Sequence, residues 1–199
     1  KTKSPHVMLS GAGAQEFAKE QGLEMVEDNM YFATPKTMEW IEKLKQESKK
    51  NGTVGCVVLD KQGNLTAGTS TGGMFKKRWG RIGDSPVIGA GTYADNNSCA
   101  VSCTGHGEYF IRHAVAFDVC ARYKYLKESV EKAADYIIHT ELNTNAGNGG
   151  LIAVDKLGNI AMPYNSGGMF RGFLYKEKGR PEIKKGCGIG KKIVVVGEK

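Results

Sequence analysis

A threonine that follows a polar, glycine-ended segment is the first candidate for chemistry in this chain of 199 residues. Thr53 comes directly after Gly52, and three further hydroxyl residues, Thr69, Ser70 and Thr71, follow the next turn. A threonine hydroxyl is a weak nucleophile, but a threonine at a chain terminus can use its own α-amine as the base. That amine titrates at about 7.7–8.0, close to physiological pH. Because Thr53 is internal, this chemistry predicts cleavage of the Gly52–Thr53 bond.

The segments that precede Thr53 change from helix to linker. A helix is predicted around 14–21, and a second begins at Pro35, which suits a first helical turn because it lacks an N–H. The apolar residues at helical spacing in this second helix are Met38, Ile41 and Leu44. Residues 46–52 contain no apolar side chain and end in glycine, which favours a flexible linker that lets the two new chain ends separate.

Two stretches after the linker share one pattern. The residues "CVVLDKQGNLTAGTSTGGMF" (56–75) align with "LIAVDKLGNIAMPYNSGGMF" (151–170). Each has an apolar run, an Asp-Lys-x-Gly-Asn turn and a second run, which predicts two equivalent β-hairpins in similar layers or in neighbouring strand pairs. Thr53, Thr69 and Thr71 of the first copy correspond to Asn148, Tyr164 and Ser166 of the second. Hairpin formation alone does not require the extra hydroxyls.

The region between the hairpins predicts a strand and two helices. Residues 98–107 read as a strand that runs into a glycine loop, and 108–123 and 127–142 read as amphipathic helices. Strands, then helices, then strands predict an α+β fold with a mostly antiparallel sheet. The tail after Gly179 carries a β-branched run at 193–196, which we predict to add an edge strand.

Four motifs in order resemble the plant-type L-asparaginase/isoaspartyl aminopeptidase family of N-terminal-nucleophile hydrolases. They are "GTVGCVVLD", "GTSTGGM", "GRIGDSPVIGAGTYAD" and "AVSCTGHGE". The resemblance runs from about Ser4 to Gly179, with "SPHVML" and "GAGAQEFA" matching the end of the family's first subunit. It implies an αββα sandwich, incomplete at the N-terminus because the start of that subunit is missing. It also implies that 1–52 ends the first subunit and 53–199 forms the second, within a single domain.

The resemblance assigns roles residue by residue. Thr53 would be the nucleophile freed by self-cleavage, and Thr71 would orient and polarise its hydroxyl. Arg81 would hold the substrate α-carboxylate, and Asp84 would hold the α-ammonium. Thr104 and Gly105 would form the oxyanion hole, with Gly107 lining the pocket. This division is chemically consistent, because arginine's planar fork suits a carboxylate and glycine-loop donors can stabilise a developing oxyanion.

Each of these residues also has an ordinary structural interpretation. Arg81 and Asp84 could form a surface ion pair, the hydroxyl residues could be strand formers, and Thr104-Gly105 could be a turn. The order and spacing of the four motifs favour the site. His106 is a candidate for the pocket wall rather than for a base, because Thr53 carries its own.

The resemblance implies an amidohydrolase that cleaves L-asparagine and β-aspartyl dipeptides. A glycosylasparaginase is the near alternative, although members of that branch usually have aspartate before the nucleophile, where Gly52 stands. An uncleaved, truncated member with only a binding or assembly role is the non-enzymatic alternative. The family implies a homodimer of αβ units and no cofactor, apart from a structural sodium bound by a segment that is absent here.

Composition supports no other functional class. The net charge is +7, but the basic residues scatter rather than gather on one element, so no nucleic-acid partner is expected. No apolar run reaches the roughly 20 residues that span a bilayer, and no signal peptide is visible, which predicts a cytoplasmic protein without membrane contact. Four histidines give no metal spacing. The five cysteines, Cys56, Cys99, Cys103, Cys120 and Cys187, are predicted to be buried free thiols.

Overall fold

A computed structural model describes residues 9–35, 38–39, 42, 52–74, 77, 79–176, 183–187 and 193–198. Contacts between Cα atoms group the chain into two units, Lys1–Lys49 and Lys50–Lys199. In the first unit, helix α1 spans Gly11–Glu20 and a 3₁₀ turn spans Asn29–Phe32. The helix predicted around 14–21 is therefore present and begins slightly earlier than expected.

The helix predicted to begin at Pro35 is described only in part. Its described residues, all helical, are Pro35, Met38, Glu39 and Glu42. The predicted apolar positions Ile41 and Leu44 lie outside the described residues, as does the linker up to residue 51.

The second unit contains a five-stranded sheet in the order β2-β1-β9-β7-β8. Its strands are β1 (Thr53–Leu59), β2 (Leu65–Thr71), β7 (Gly172–Lys176), β8 (Ile183–Cys187) and β9 (Ile193–Glu198). Strands β1 and β2 form the first predicted hairpin, with Thr53 opposite Thr71 and Leu59 opposite Leu65. The register therefore carries both threonines to the same end of the hairpin.

A second sheet of four antiparallel strands has the order β3-β4-β5-β6. Its strands are β3 (Thr92–Ala94), β4 (Cys99–Gly105), β5 (Gly149–Asp155) and β6 (Ile160–Ala161). Strands β5 and β6 form the second predicted hairpin. The two hairpins lie in different sheets, so the repeat corresponds to two similar layers.

The two sheets pack face to face, and the helices cover the other face of the second sheet. The buried cluster between the sheets consists of Val57, Leu59, Leu65, Ala100, Ile152, Val154 and Met169. A larger cluster joins Val101, Cys103 and Leu151 of the second sheet to the helices. The described elements of this unit thus form a sheet–sheet–helix arrangement. The α+β class is confirmed, whereas the four-layered αββα sandwich stays a prediction.

The helices differ from the predicted pair because tertiary contacts interrupt them. They are α2 (Gly107–Arg112), α3 (Val115–Tyr125), α4 (Val130–Tyr136), a π-turn (Ile137–Glu141) and α5 (Leu142–Thr144). The single helix predicted over 108–123 breaks at Ala114, whose φ is +45°. The amides of Ala116 and Phe117 then donate to the carbonyls of Ala90 and Gly89 at 3.1 and 2.8 Å. A neighbouring loop therefore replaces the helical partners at this point.

The structure contradicts two of the predictions, the position of the strand at 193–196 and the state of two cysteines. The β-branched run 193–196 lies inside the first sheet, because β9 pairs in parallel with β1 on one side and β7 on the other. Cys99 and Cys120 form a disulfide, with their Cα atoms 5.5 Å apart. This separation lies within the usual range for a bridge and arises because α3 packs on β4. Of the other cysteines, Cys103 is buried and forms no disulfide, while Cys56 is free and only partly buried.

Candidate active site

Thr71 connects Thr53 with the peptide bond that precedes it. The Thr53 hydroxyl donates to Thr71 Oγ1 at 3.4 Å. Thr71 Oγ1 in turn donates to the Gly52 carbonyl at 2.7 Å and accepts from the Gly73 amide at 3.0 Å. A hydroxyl has one proton and two lone pairs, so these three contacts use its full capacity. The register of β1 and β2 produces this arrangement, because it places Thr53 opposite Thr71.

The alternation of side chains along the strands directs the candidate hydroxyls into one space. Successive strand residues point to opposite faces of a sheet. The strand residues buried between the sheets are odd-numbered in β1 and β2 and even-numbered in β4. Thr53 and Thr71 share the odd positions and Thr104 the even ones. All three therefore belong to the faces that the two sheets turn toward each other.

Ser102 and Thr69 join the two sheets just behind these hydroxyls. Their oxygens lie 2.7 Å apart, and Thr69 Oγ1 also donates to the Gly91 carbonyl at 3.1 Å. A Cβ on Gly55 would overlap the Ser102 side chain, so the absence of a side chain at Gly55 allows β4 to approach β1. The sequence alone did not identify Ser102, although a glycine inside a strand signals such a close approach.

Arg81 forms a two-pronged ion pair with a residue that sequence reasoning missed. Its Nε and Nη2 donate to Glu108 Oε1 and Oε2 at 2.8 and 2.9 Å. The Arg81 side chain is only 19% exposed. The hydrogen bond with Arg81 lowers the pKa of Glu108 and raises the pKa of Arg81. The surface pair between Arg81 and Asp84 that we considered as an alternative is thus replaced by a pair with the first turn of α2.

Asp84 is a buried carboxylate with an unused oxygen. Only 6% of the residue is exposed, and its Oδ2 has no hydrogen-bond partner among the described residues. Burial raises the pKa of Asp84, and the nearby Arg81 opposes this shift only in part. A buried acceptor without a donor is costly, so this oxygen has the capacity to accept from a cationic donor.

Glycines surround the Arg81 and Asp84 side chains closely. A Cβ on Gly107 would lie 2.9 Å from Asp84 Oδ1 and 3.0 Å from Arg81 Nη2. A Cβ on Gly83 would lie 2.8 Å from Arg81 Nη1. Gly107 therefore lies beside both charged residues, and its role in lining the substrate pocket stays a prediction.

Thr104 and Gly105 end β4, where Gly105 lies opposite Gly149 of β5. Gly105 has a φ of +152°, and a Cβ there would overlap the Asn148 carbonyl. The close approach of β4 to the backbone at Asn148 therefore requires glycine. His106 is exposed and donates its amide to the Asn148 carbonyl at 3.0 Å. Its imidazole stacks on Tyr109, with ring centroids 6.1 Å apart, which fits a wall position better than a catalytic one.

A cleft of about 340 Å³ opens beside the hydroxyls. Its described lining residues are Thr69, Ser70, Thr71, Gly73, Lys77, Arg81, Ile82, Gly83, Ser85 and Pro86. The structure thus brings Thr71 and Arg81 to one cleft, and the buried Asp84 lies between the lining residues Gly83 and Ser85 in the chain. Thr104 and Gly105 lie on the facing sheet and do not line this cleft.

Two further classes of site find no support in the described part of the chain. There, no three histidine, cysteine, aspartate or glutamate side chains gather closely enough to hold a metal ion. A search of the same residues finds no helix with the length and apolar character needed to cross a bilayer.

Comparisons with known proteins identify the family of this chain. A model of the Asparaginase family matches residues 2–182. The chain is 46% identical to an isoaspartyl peptidase of Salmonella typhimurium, covering 87% of this chain and 59% of that protein. It is 42% identical to an isoaspartyl peptidase of Escherichia coli, covering 89% and 62%. It is 39% identical to a human isoaspartyl peptidase/L-asparaginase, covering 84% and 56%. The chain spans about three fifths of the length of these relatives.

Proposed function

Because the chain belongs to the Asparaginase family, we propose that it is a threonine-nucleophile amidohydrolase that cleaves the β-amide of L-asparagine and of isoaspartyl dipeptides. Its relatives from Salmonella typhimurium and Escherichia coli bear the name isoaspartyl peptidase. The observation that carries the proposal is the hydrogen bond from Thr71 to the carbonyl of Gly52. It joins a hydroxyl to the peptide bond that must break to free Thr53.

Self-cleavage is the first step of the proposal. Thr53 Oγ1 attacks the Gly52 carbonyl carbon, the Gly52–Thr53 C–N bond breaks, and the departing nitrogen takes up the proton that the Thr53 hydroxyl loses. The resulting ester is hydrolysed by water, which leaves a carboxylate on Gly52 and a free α-amine on Thr53. Thr71 already donates to the carbonyl oxygen on which negative charge develops, and one such donor is often worth about 3–4 kcal/mol.

Hydrolysis of the substrate follows the same chemistry. The free α-amine accepts the proton of the Thr53 hydroxyl, and the hydroxyl oxygen attacks the β-amide carbonyl of the substrate. The amine or ammonia departs, and water then hydrolyses the aspartyl ester. Thr104 and Gly105 would stabilise the oxyanion. Thr104 belongs to the sheet face that is turned toward Thr53, and Gly105 follows it at the end of β4, which supports that role.

Recognition of the substrate rests on a matched pair of charges. The α-carboxylate would bind Arg81, and the α-ammonium would bind the unused oxygen of the buried Asp84. Such a site requires both free α-groups, so the amide that is cleaved must be the β one. An α-linked aspartyl peptide lacks the free carboxylate and would leave the donors of Arg81 that Glu108 does not bind without a partner.

The remaining parts of the proposal concern cofactors and assembly. The chemistry uses only side chains and the α-amine, so we expect it to proceed without a cofactor. Cleavage would make residue 52 the end of one subunit and residue 53 the start of the next, and two such αβ units would form the active dimer.

The experiment combines intact-mass analysis with a substrate panel. Incubation should yield a fragment that begins at Thr53, and this material should hydrolyse β-Asp-Leu and asparagine but not α-Asp-Leu. Faster release from glycosylated asparagine than from β-Asp-Leu would assign the chain to the glycosylasparaginase branch. A chain that stays intact and inactive would leave only a binding or assembly role.

A further inference from the structure

We infer that Glu108 is a positioning residue that fixes the direction of the Arg81 guanidinium, and so sets the affinity for the substrate's α-carboxylate. The inference rests on the proposed function and adds a residue to it. Glu108 lies 27 positions after Arg81 and contacts it from α2.

The hydrogen bonds leave one edge of the guanidinium available. Arginine has five N–H donors in a planar fork. Glu108 accepts one from Nε and one from Nη2, which occupies one edge with fork-to-fork geometry. Among the residues that the structure describes, none accepts from the edge between Nη1 and Nη2, and a second carboxylate can bind there in the same two-pronged manner. Glu108 and the substrate carboxylate can therefore bind Arg81 together.

The packing around Arg81 leaves its orientation to Glu108. Gly83 and Gly107 lie against Nη1 and Nη2 and provide space but no charge. Asp84 affects Arg81 through its field, without an ion pair of its own. Removal of the Glu108 charge would therefore let the guanidinium rotate between the two glycines, and its free edge would lose its fixed direction.

A competing interpretation makes the opposite prediction. Glu108 could occupy Arg81 in place of a substrate carboxylate and have to leave before binding. Neutralising it would then strengthen binding, and the lost negative charge would act in the same direction. A weaker interaction after neutralisation is thus diagnostic of positioning, since simple electrostatics predicts the reverse.

The test compares Glu108→Gln with a matched control in the full chain. Arg122 and Glu128 form an equivalent two-pronged pair, at 2.8 and 3.3 Å, outside the candidate site, so Glu128→Gln controls for loss of an arginine–glutamate pair. We measure L-aspartate binding by calorimetry and KM and kcat for β-Asp-Leu. Glu108→Gln should raise the Kd and KM about tenfold, the size of one charged hydrogen bond, with kcat within about twofold. Glu128→Gln should change neither.

Two further measurements distinguish a positioning role of Glu108 from a loss of folding. Glu108→Gln should still cleave at Thr53 at the wild-type rate, because self-cleavage uses no substrate carboxylate, and this shows that it folds. In an Arg81→Lys background, Glu108→Gln should have a smaller effect on aspartate binding, since lysine lacks the fork that Glu108 orients.

The outcomes separate the inference from the activity on which it rests. An unchanged or lowered Kd and KM in Glu108→Gln would overturn the inference, as would a wild-type protein that does not bind L-aspartate. A wild-type protein that binds L-aspartate but hydrolyses neither asparagine nor β-Asp-Leu would overturn the proposed activity alone. In that case, a tenfold weaker aspartate affinity in Glu108→Gln would still support the positioning role.

Discussion

The two hairpins share a turn but differ in what their strands carry. In the first, Asp60 Oδ1 accepts from the amides of Gln62 and Asn64 at 2.9 and 2.7 Å. In the second, Asp155 Oδ1 accepts from Leu157 and Asn159, both at 2.9 Å. In each copy the asparagine side chain also donates to the second carboxylate oxygen at 2.8 Å. The Asp-Lys-x-Gly-Asn pattern, which occurs twice in this chain, therefore forms the same turn geometry in both copies.

The two hairpins differ at the ends opposite their turns. Strand β5 is buried along its whole length, whereas Thr53 of β1 is partly accessible and Thr71 of β2 is exposed. Thr71 contacts Thr53 and Gly52, but its counterpart Ser166 donates only to the nearby Gly168 carbonyl at 3.2 Å. The comparison indicates that the turn serves folding in both copies, and it supports our proposal that the hydroxyls of the first copy serve chemistry.

Removal of the nucleophile should have the largest effect. Thr53→Ala should abolish both self-cleavage and hydrolysis, because no hydroxyl remains to attack. Thr53→Ser should cleave and retain some activity, since it loses only a methyl group. Gel analysis and an ammonia-release assay with asparagine measure both effects. Hydrolysis by a purified Thr53→Ala protein would rule out Thr53 as the nucleophile.

Thr71 and Ser166 provide a direct test of the comparison. Thr71→Val keeps the shape of the side chain but removes the donor to the Gly52 carbonyl, and should slow self-cleavage about 10²–10³-fold. The matched change Ser166→Ala in the second hairpin should leave the rate unchanged. Time courses of fragment formation by intact mass give both rates. Equal rates in the two variants would contradict a catalytic role for the hydrogen bond of Thr71.

Two buried aspartates should respond in opposite directions to the same substitution. Asp155→Asn keeps an oxygen for the two backbone amides but places an NH2 group against the Asn159 Nδ2 donor, which then loses its acceptor. This change should cost about 2 kcal/mol of stability. Asp84→Asn removes a desolvated charge with an unpartnered oxygen, and should add about 1 kcal/mol, or about 2–4 °C. It should also abolish hydrolysis. Thermal unfolding and activity are measured on both variants, and destabilisation by Asp84→Asn would argue against a site kept ready for a cation.

The smallest expected effect is the pH dependence that Asp84 gives to stability and to L-aspartate affinity. Burial raises the pKa of Asp84, so the folded protein binds this proton more tightly than the unfolded chain. The Asp84 contribution to stability therefore falls as pH rises from the ordinary aspartate pKa through the raised one. Affinity for L-aspartate should change in the other direction, weakening as pH falls through the raised pKa, because the ammonium loses its carboxylate. Calorimetry at several pH values tests this, and an affinity independent of pH down to about 4 would contradict it.

Local sequence patterns predicted much of this fold, whereas contacts between residues far apart in sequence were not predicted. The turn at Asp60 and the pairing of β1 with β2 follow from residues close in sequence. The Cys99–Cys120 disulfide, by contrast, depends on how α3 packs against β4, which periodicity does not reveal. The interior position of β9 depends on pairing Val58 with Val195, far apart in sequence.

The candidate site shows the same division. The ordered motifs pointed to Thr53, Thr71, Arg81 and Asp84, and the structure places Thr71 and Arg81 at one cleft with Asp84 next to it. Glu108 could not be predicted as the partner of Arg81, because its motif position gave no information on which side chain it would meet. The roles of Thr104 and Gly105 in stabilising an oxyanion stay predictions.

The side chain of Asn165 links segments that we expect to unfold locally as one unit. Its amide nitrogen donates to the carbonyls of Ile138 and Gly147, both at 3.1 Å, and its oxygen accepts from the Gly149 amide at 2.8 Å. One side chain therefore fastens the π-turn to the strand that pairs with Gly105. Native-state hydrogen exchange should show this as one cooperative unit. The amides of Gly149 and His106 should exchange together, and Asn165→Ala should accelerate both before it affects the amides of β1.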